Sequence, residues 1–375
     1  MNDKIAELTS LGQSIWIDYI RRGMIQNGEL EALRDRGVVG LTSNPTIFQK
    51  AIAESDDYTG ALADCAGRTG SADEIYETLV FDDIRNAAAI MEPVFRDTDG
   101  VDGYVSIEVN PSLAHDTAAT VAEGKRIFET LGKPNVMIKV PGTAAGLPAI
   151  EALLADGINV NVTLIFSVDV YLNVMQAYLR GVKRFADAGH DPSRVASVAS
   201  FFVSRIDGAV DKLLTTKIEA GSADLSPLLG QTAIANTKLA YVAYQEVFER
   251  SDGPFAELRA RGARVQRPLW ASTSTKNPDY RDTYYVDTLI GPHTVNTVPP
   301  ATLDALCDHL DVRETVTHDV DDAERVIQQL AGAGIDLASV TAELRDTGVK
   351  LFADSFDAMM ADIEAKRLLQ VASSN

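Results

Sequence analysis

The feature that most limits what this 375-residue chain can become is an alternation of short β-rich runs with longer stretches whose apolar residues fall at helical spacing. Eight runs are read as strands: Ser14–Tyr19, Val38–Asn44, Tyr104–Asn110, Asn135–Pro141, Asn159–Phe166, Val195–Arg205, Val265–Thr273 and Tyr284–Thr288. Each is apolar and poor in Gly and Pro until its end. Strand–helix alternation is the pattern of parallel βα units, and eight of them predict an α/β fold, a (β/α)8 TIM barrel. Helical patterns such as Asp116–Leu131 and Val168–Ala188, the latter carrying Val170, Val174, Tyr178 and Phe185, supply faces that pack on the barrel's outside.

Two regions exceed a minimal barrel. The interval 51–99 is too long for one crossover helix and is expected to hold two or three helices inserted after the second strand. Beyond Pro299–Pro300 the chain turns polar and helical through Leu303–Leu310, Asp322–Leu330 and Leu337–Arg367. Residues 300–375 are thus expected to be a helical elaboration packed on the barrel, with fraying at 373–375, and 1–375 is read as a single barrel domain.

Composition removes several function classes. A net charge of −20 opposes phosphate backbones at long range, so no nucleic-acid partner is expected. No apolar run is long enough to cross a bilayer, and Met1–Lys4 opens into polar sequence rather than a signal peptide, which points to a cytoplasmic protein without a membrane partner. Cys65 and Cys307 have no CxxC partner, and the five histidines show neither HxH nor HExxH spacing. A disulfide framework is therefore not indicated, and chemistry with no metal is favoured. The segment Gly142–Gly146 lacks the GxGxxG fingerprint and is read as a helix start. Trp16, Trp270 and the pair Tyr284–Tyr285 are read as core or barrel-lining aromatics, and Arg21–Arg22 as a solvated pair.

Single polar residues interrupt the apolar runs: Asp18 in SIWIDYI, Asn44 in VGLTSNPT, Glu108 in YVSIEVNPS, Lys139 in NVMIKVPGT, and Asn161 and Thr163 in INVNVTLIFS. Burying them separately would be costly, so they should face one another or a ligand. Most lie in the second half of their runs, the end of a barrel strand where active sites form. Lys139 is the most informative. Burial favours the neutral amine of a lysine, which attacks carbonyls, so Lys139 is a Schiff-base candidate; alternatively it binds phosphate or pairs with Glu108. Glu108 is suited to proton transfer through a water, a role Asp18 can share, unless both carboxylates are structural partners of Lys139 and Arg205. Asn44 and Asn161 offer neutral amides for a polyol, with turn chemistry the alternative, stronger for Asn44 because Asn-Pro starts turns. In VASFFVSRID, Ser200, Phe202 and Arg205 end the sixth run, and Arg205 can clasp a phosphate. The segment Ser272–Asn277 ends the seventh with hydroxyls and Lys276, either a phosphate nest or a plain Ser/Thr loop.

Taken together, WIDYI, LTSNPTIF, VSIEVNP, VMIKVP, GINVNVTLIFS and SFFVSRID occur in an order that resembles the transaldolase family from about Leu11 to Pro299. The resemblance implies a (β/α)8 barrel and a class I aldolase-like mechanism without metal or cofactor. It implies that Lys139 forms the Schiff base and that Glu108 is an acid/base working through a water held by Thr163. Asp18 would take the proton of the ketose C4 hydroxyl. Asn44, Asn161 and Ser200 would bind the dihydroxyacetone portion, Phe202 would shape the pocket, and Arg205 would anchor phosphate. Many relatives carry a second arginine after the seventh strand. Here that loop reads ASTSTKNP, and Lys276 assisted by Ser272 is the expected replacement, a point charge in place of a bidentate fork. Asn110 and Phe201 are further departures from the pattern. The implied partners are small-molecule sugar phosphates, with the protein a monomer or homodimer in non-oxidative pentose phosphate metabolism. Two rivals stay open: a simple aldolase that releases dihydroxyacetone, although that branch is shorter and uses a tyrosine in its proton shuttle, and a sugar-phosphate-binding module without chemistry.

Overall fold

A computed structural model of the chain describes residues 1–66, 71–221 and 224–373. Of the segment expected to fray, 374 and 375 lie outside the described residues and Ser373 closes the last helix. Eight parallel strands close a barrel in sequence order: β1 (Gln13–Ile17), β2 (Leu41–Thr42), β3 (Val105–Glu108), β4 (Val136–Pro141), β5 (Val160–Ile165), β6 (Ser197–Phe202), β7 (Arg267–Ala271) and β8 (Thr294–Val298). Every strand residue is buried, because the interior is filled by side chains and the exterior is covered by helices. The expected (β/α)8 barrel is what forms.

Six of the eight expected runs contain their strand, and the first, Ser14–Tyr19, covers all of β1 but Gln13. The eighth does not: Tyr284–Asp287 is one helical turn, and the strand is the following TVNTV segment, Thr294–Val298, paired with β7 and β1. The turn is held by three hydrogen bonds. The Tyr284 hydroxyl donates to the Gly230 carbonyl, the Tyr285 hydroxyl to Asp207, and the Thr283 hydroxyl to Asp287 at 2.8 Å. Neighbouring strand residues point to opposite faces, whereas a helical turn lets both tyrosines reach partners on one side. The β2 pairing is only two residues long. Before it, Gly40 lies against the Trp16 indole so closely that no Cβ fits.

Helices Pro45–Glu54, Thr59–Ala66 and Ala72–Asp97 fill the interval between β2 and β3. Arg21 and Arg22 tie this insertion to the exit of β1 rather than lying solvated. Arg22 pairs with the buried Asp83 at 2.8 Å, which also accepts from Tyr58, while Arg21 bridges Asp57 and Glu29. After β8 come Pro300–His309, Val320–Gly332 and the 37-residue helix Leu337–Ser373, which packs on Pro45–Glu54, Thr59–Ala66 and Ala72–Asp97.

The barrel's two ends differ. At the amino ends of the strands, Arg267 pairs with Asp102 at 3.1 Å and donates to Ser14, while Asp102 also accepts from Trp16 and Ser14. These buried groups saturate one another. The carboxyl ends hold polar groups with unused capacity.

Candidate active site

Strand register builds the floor. Glu108 on β3 is level with Lys139 on β4, which is level with Asn161 on β5, so their side chains share the interior face. Lys139 is 4% exposed; its Nζ donates to the Ser43 carbonyl at 3.0 Å and stands 3.6 Å from Glu108 Oε2. An ammonium has three donors, so capacity remains for a ligand. Glu108 Oε2 is buried without a hydrogen-bond partner, and so is the Thr163 hydroxyl. Beneath them Asn161 is engaged at both ends of its amide, donating to Ser106 at 3.0 Å and accepting from Ser200 at 2.7 Å.

Over Lys139 opens a cavity of about 360 Å³, within the size range of small-molecule sites. Asp18, Thr163, Ser200 and Phe202 line it beside Lys139. Asp18 directly follows β1 and accepts from Thr42 at 2.6 Å. Asn44 caps the Pro45–Glu54 helix, its side-chain oxygen accepting from the Ile47 amide at 3.0 Å, and its amide NH2 has no protein acceptor. It is therefore both a turn-chemistry cap and a cavity residue. Phe352, from the C-terminal helix, closes one side with its ring centre 5.7 Å from Lys139 Nζ.

The cavity's outer part is cationic. Arg205, one residue into the Ser204–Glu219 helix, lays its guanidinium 5.3 Å over the Phe202 ring and forms no ion pair among the described residues. Lys276 reaches only Ser274, at 2.8 Å, and Ser272 meets Ser204 at 3.1 Å. Lys50, on the Asn44-capped helix, also lines the cavity and forms no ion pair among the described residues. Three cations without carboxylate partners among the described residues, in a chain of net charge −20, make an anion site.

Burial dominates the carboxylates. It pushes Glu108 up to about 7, against the lowering effect of Lys139, with the Asp18 charge adding to the rise. Asp18 is raised for the same first reason, opposed by Lys139, the Thr42 hydrogen bond and Arg205. Desolvation lowers Arg205, opposed by Asp18. A carboxyl poised near neutrality beside a lysine amine can move protons in both directions.

Of the residues expected from sequence, Lys139, Asp18, Thr163, Asn44, Ser200, Phe202, Arg205, Ser272 and Lys276 meet in this cavity. Two sit elsewhere. Asn161 is one layer beneath, engaged at both ends of its amide, so it orients Ser200 instead of facing the cavity. Glu108 reaches Lys139 from an adjoining smaller cavity lined by Tyr76, Phe356 and Met359. Within Ser272–Asn277, Thr273 and Thr275 turn to Asn296 and to the backbone of Arg281, so only part of that loop serves the site. Lys50 and Phe352 were not foreseen. Lys50 lies six residues beyond Asn44 on the helix it caps, a signal present in the sequence; Phe352 arrives from 213 positions beyond Lys139, which no local pattern reveals.

The sequence profile described as transaldolase/fructose-6-phosphate aldolase matches residues 15–363. The chain belongs to that family. It is 48% identical over 366 residues to the transaldolase of Mycobacterium tuberculosis (strain ATCC 25618 / H37Rv), covering 97% of each chain. The transaldolase of Mycobacterium bovis (strain BCG / Pasteur 1173P2) matches to the same extent. That of Mycobacterium marinum is 48% identical over 370 residues, covering 97% of this chain and 98% of its own. The similarity thus includes the insertion and the C-terminal helices as well as the barrel.

Proposed function

We propose that the chain is a transaldolase that carries a dihydroxyacetone unit between sugar phosphates on Lys139. Full-length similarity to transaldolases supports the activity. The observation that carries the mechanism is the buried Lys139–Glu108 pair, 3.6 Å apart, at the floor of a cavity with a cationic outer part. The Lys139 amine adds to C2 of fructose 6-phosphate or sedoheptulose 7-phosphate. Glu108, through a water held by Thr163, moves the protons that turn the carbinolamine into an iminium with loss of water. Asp18 takes the C4 hydroxyl proton, the C3–C4 bond breaks, and its electron pair enters the iminium to give an enamine. Glyceraldehyde 3-phosphate or erythrose 4-phosphate is the aldose pair that leaves and arrives. Asn44 and Ser200 bind the retained three carbons, Asn161 orients Ser200, and Arg205, Lys276 with Ser272, and Lys50 hold phosphate. The cytoplasm, where these sugar phosphates belong to non-oxidative pentose phosphate metabolism, is the proposed location. Among the described residues no helix is long and apolar enough to cross a membrane.

Borohydride reduction in the presence of fructose 6-phosphate, followed by peptide mass spectrometry, tests this. The expected result is a reduced three-carbon adduct on Lys139 that is lost when erythrose 4-phosphate is added first. A folded protein without any adduct would sink the mechanism.

A further inference from the structure

Once C3–C4 cleavage has occurred, the enamine has two fates. It can attack an acceptor aldehyde, or it can be protonated at C3, returning to an iminium that water hydrolyses. In the second fate water adds to C2, the C2–N bond then breaks as the new hydroxyl gives up its proton and becomes the carbonyl of dihydroxyacetone, and the proton returns to the amine, with no oxidant or reductant needed. Which fate prevails depends on what reaches the lysine while the acceptor subsite is empty.

Part of the wall beside Lys139 comes from one face of the Leu337–Ser373 helix instead of from a barrel strand. Phe352, 4% exposed, lines the cavity with its ring centre 5.7 Å from Nζ. One and two turns further, Phe356 and Met359 line the small cavity around Glu108, where Phe356 meets Tyr76 edge-on at 5.3 Å. One turn earlier, Gly348 lies on Leu164, and a Cβ there would stand 2.7 Å from Leu164 Cδ2. Leu164 directly follows Thr163, holds φ at +58°, and sits where β5 shifts register against β6. Residues 348, 352, 356 and 359 recur at helical spacing and so form one stripe. The helix is pinned to Pro45–Glu54 by Thr46–Ser355 at 2.8 Å and Gln49–Asp362 at 3.3 Å.

We infer that this stripe, with Phe352 at its centre, shields the lysine-bound enamine from bulk water and makes the chain a transferase in place of a dihydroxyacetone-releasing aldolase. The inference rests on the Schiff-base reading above. The water lost on forming the iminium is the one needed again on product release, so the site has to keep one water while excluding exchange. An aromatic ring over the amine fills the space through which further water would approach and leaves Glu108 its own small compartment. Phe352 is a positioning and shielding side chain; the bond-making groups remain Lys139, Glu108 and Asp18.

The measurement is the ratio of dihydroxyacetone released to dihydroxyacetone transferred, with fructose 6-phosphate and erythrose 4-phosphate both present. Because it is a ratio from one sample, it does not depend on the folded fraction. Phe352→Ala should raise it by about tenfold, Phe352→Leu should stay near the parent value, and the borohydride adduct on Lys139 should persist in both. Gly348→Ala, which pushes the helix off Leu164 with the ring intact, should raise the ratio as well. An unchanged ratio in Phe352→Ala and Gly348→Ala, with the adduct retained, overturns the shield. Absence of the adduct from the parent chain overturns the Schiff-base reading beneath it.

Discussion

Glu108 shows how one residue's surroundings set its chemistry. The pairing of β3 with β4 brings it level with Lys139, and burial raises it from 4.5 to about 7 although a cation lies 3.6 Å away. Desolvation outweighs the pairing because the amine is shared with the Ser43 carbonyl and Glu108 Oε2 lacks any hydrogen-bond donor. Glu108→Gln should lower kcat about 10²–10⁴-fold with KM for phosphorylated sugars near the parent value. The ionisation near pH 7 should vanish from the kcat profile; unchanged turnover would refute the role. The same shift has a stability consequence. Below pH 4.5 both the folded and unfolded states hold the proton, and between 4.5 and about 7 only the folded state does, so stability falls across that window and levels off above it. Asp207, also raised to about 7, adds a slope of the same sign. Denaturant unfolding of Glu108→Gln between pH 4 and 8 should therefore show a shallower fall than the parent, by on the order of 3 kcal/mol.

Among the elements, β2 and the helix after it translate a short sequence into site geometry. Only Leu41 and Thr42 pair as strand, yet Thr42 holds Asp18, Ser43 receives the Lys139 proton donor, and Asn44 starts a helix that carries Lys50 to the cavity. Gly40 makes this possible by letting the backbone lie on the Trp16 indole. Gly40→Ala should destabilise the fold by about 1–3 kcal/mol through overpacking, with a shift in tryptophan emission, and should weaken turnover because Asp18 and Ser43 move with it. Equal stability and equal kcat would show that Trp16 yields freely. Part of this element was legible: Asn-Pro reads as the start of a turn, and that turn is the cap of the Pro45–Glu54 helix. The eighth strand was not, because YYVDT has strand-like composition while its partners Gly230 and Asp207 lie 54 and 78 positions away. Tertiary hydrogen bonds overrode local preference there.

At the scale of the whole molecule the barrel separates stability from chemistry by its two ends. The amino end carries the Arg267–Asp102–Ser14–Trp16 cluster, whose members satisfy one another, whereas the carboxyl end carries cations and hydroxyls left for a ligand. Asp102→Ala leaves the Arg267 guanidinium buried without its carboxylate and should cost about 3–5 kcal/mol, while kcat and KM of the folded enzyme stay within about twofold of the parent. Chemical denaturation and initial-rate assays below the transition check this pair of outcomes, and a large kcat effect would show that the two ends are coupled.

The sequence by itself determined the barrel, because short apolar runs alternating with stretches of helical period leave few ways to bury both faces of each strand. It also determined the chemical identities at the carboxyl ends of the strands, since a charge inside an apolar run requires a partner or a ligand. Only the tertiary structure decided how those groups share the space. It put Asn161 beneath the cavity and Glu108 in a compartment of its own, added Lys50 to the cations, and brought Phe352 from the far end of the chain to the reactive amine. The reason is physical: periodicity is a local property readable along the chain, whereas desolvation and proximity depend on contacts between segments hundreds of residues apart.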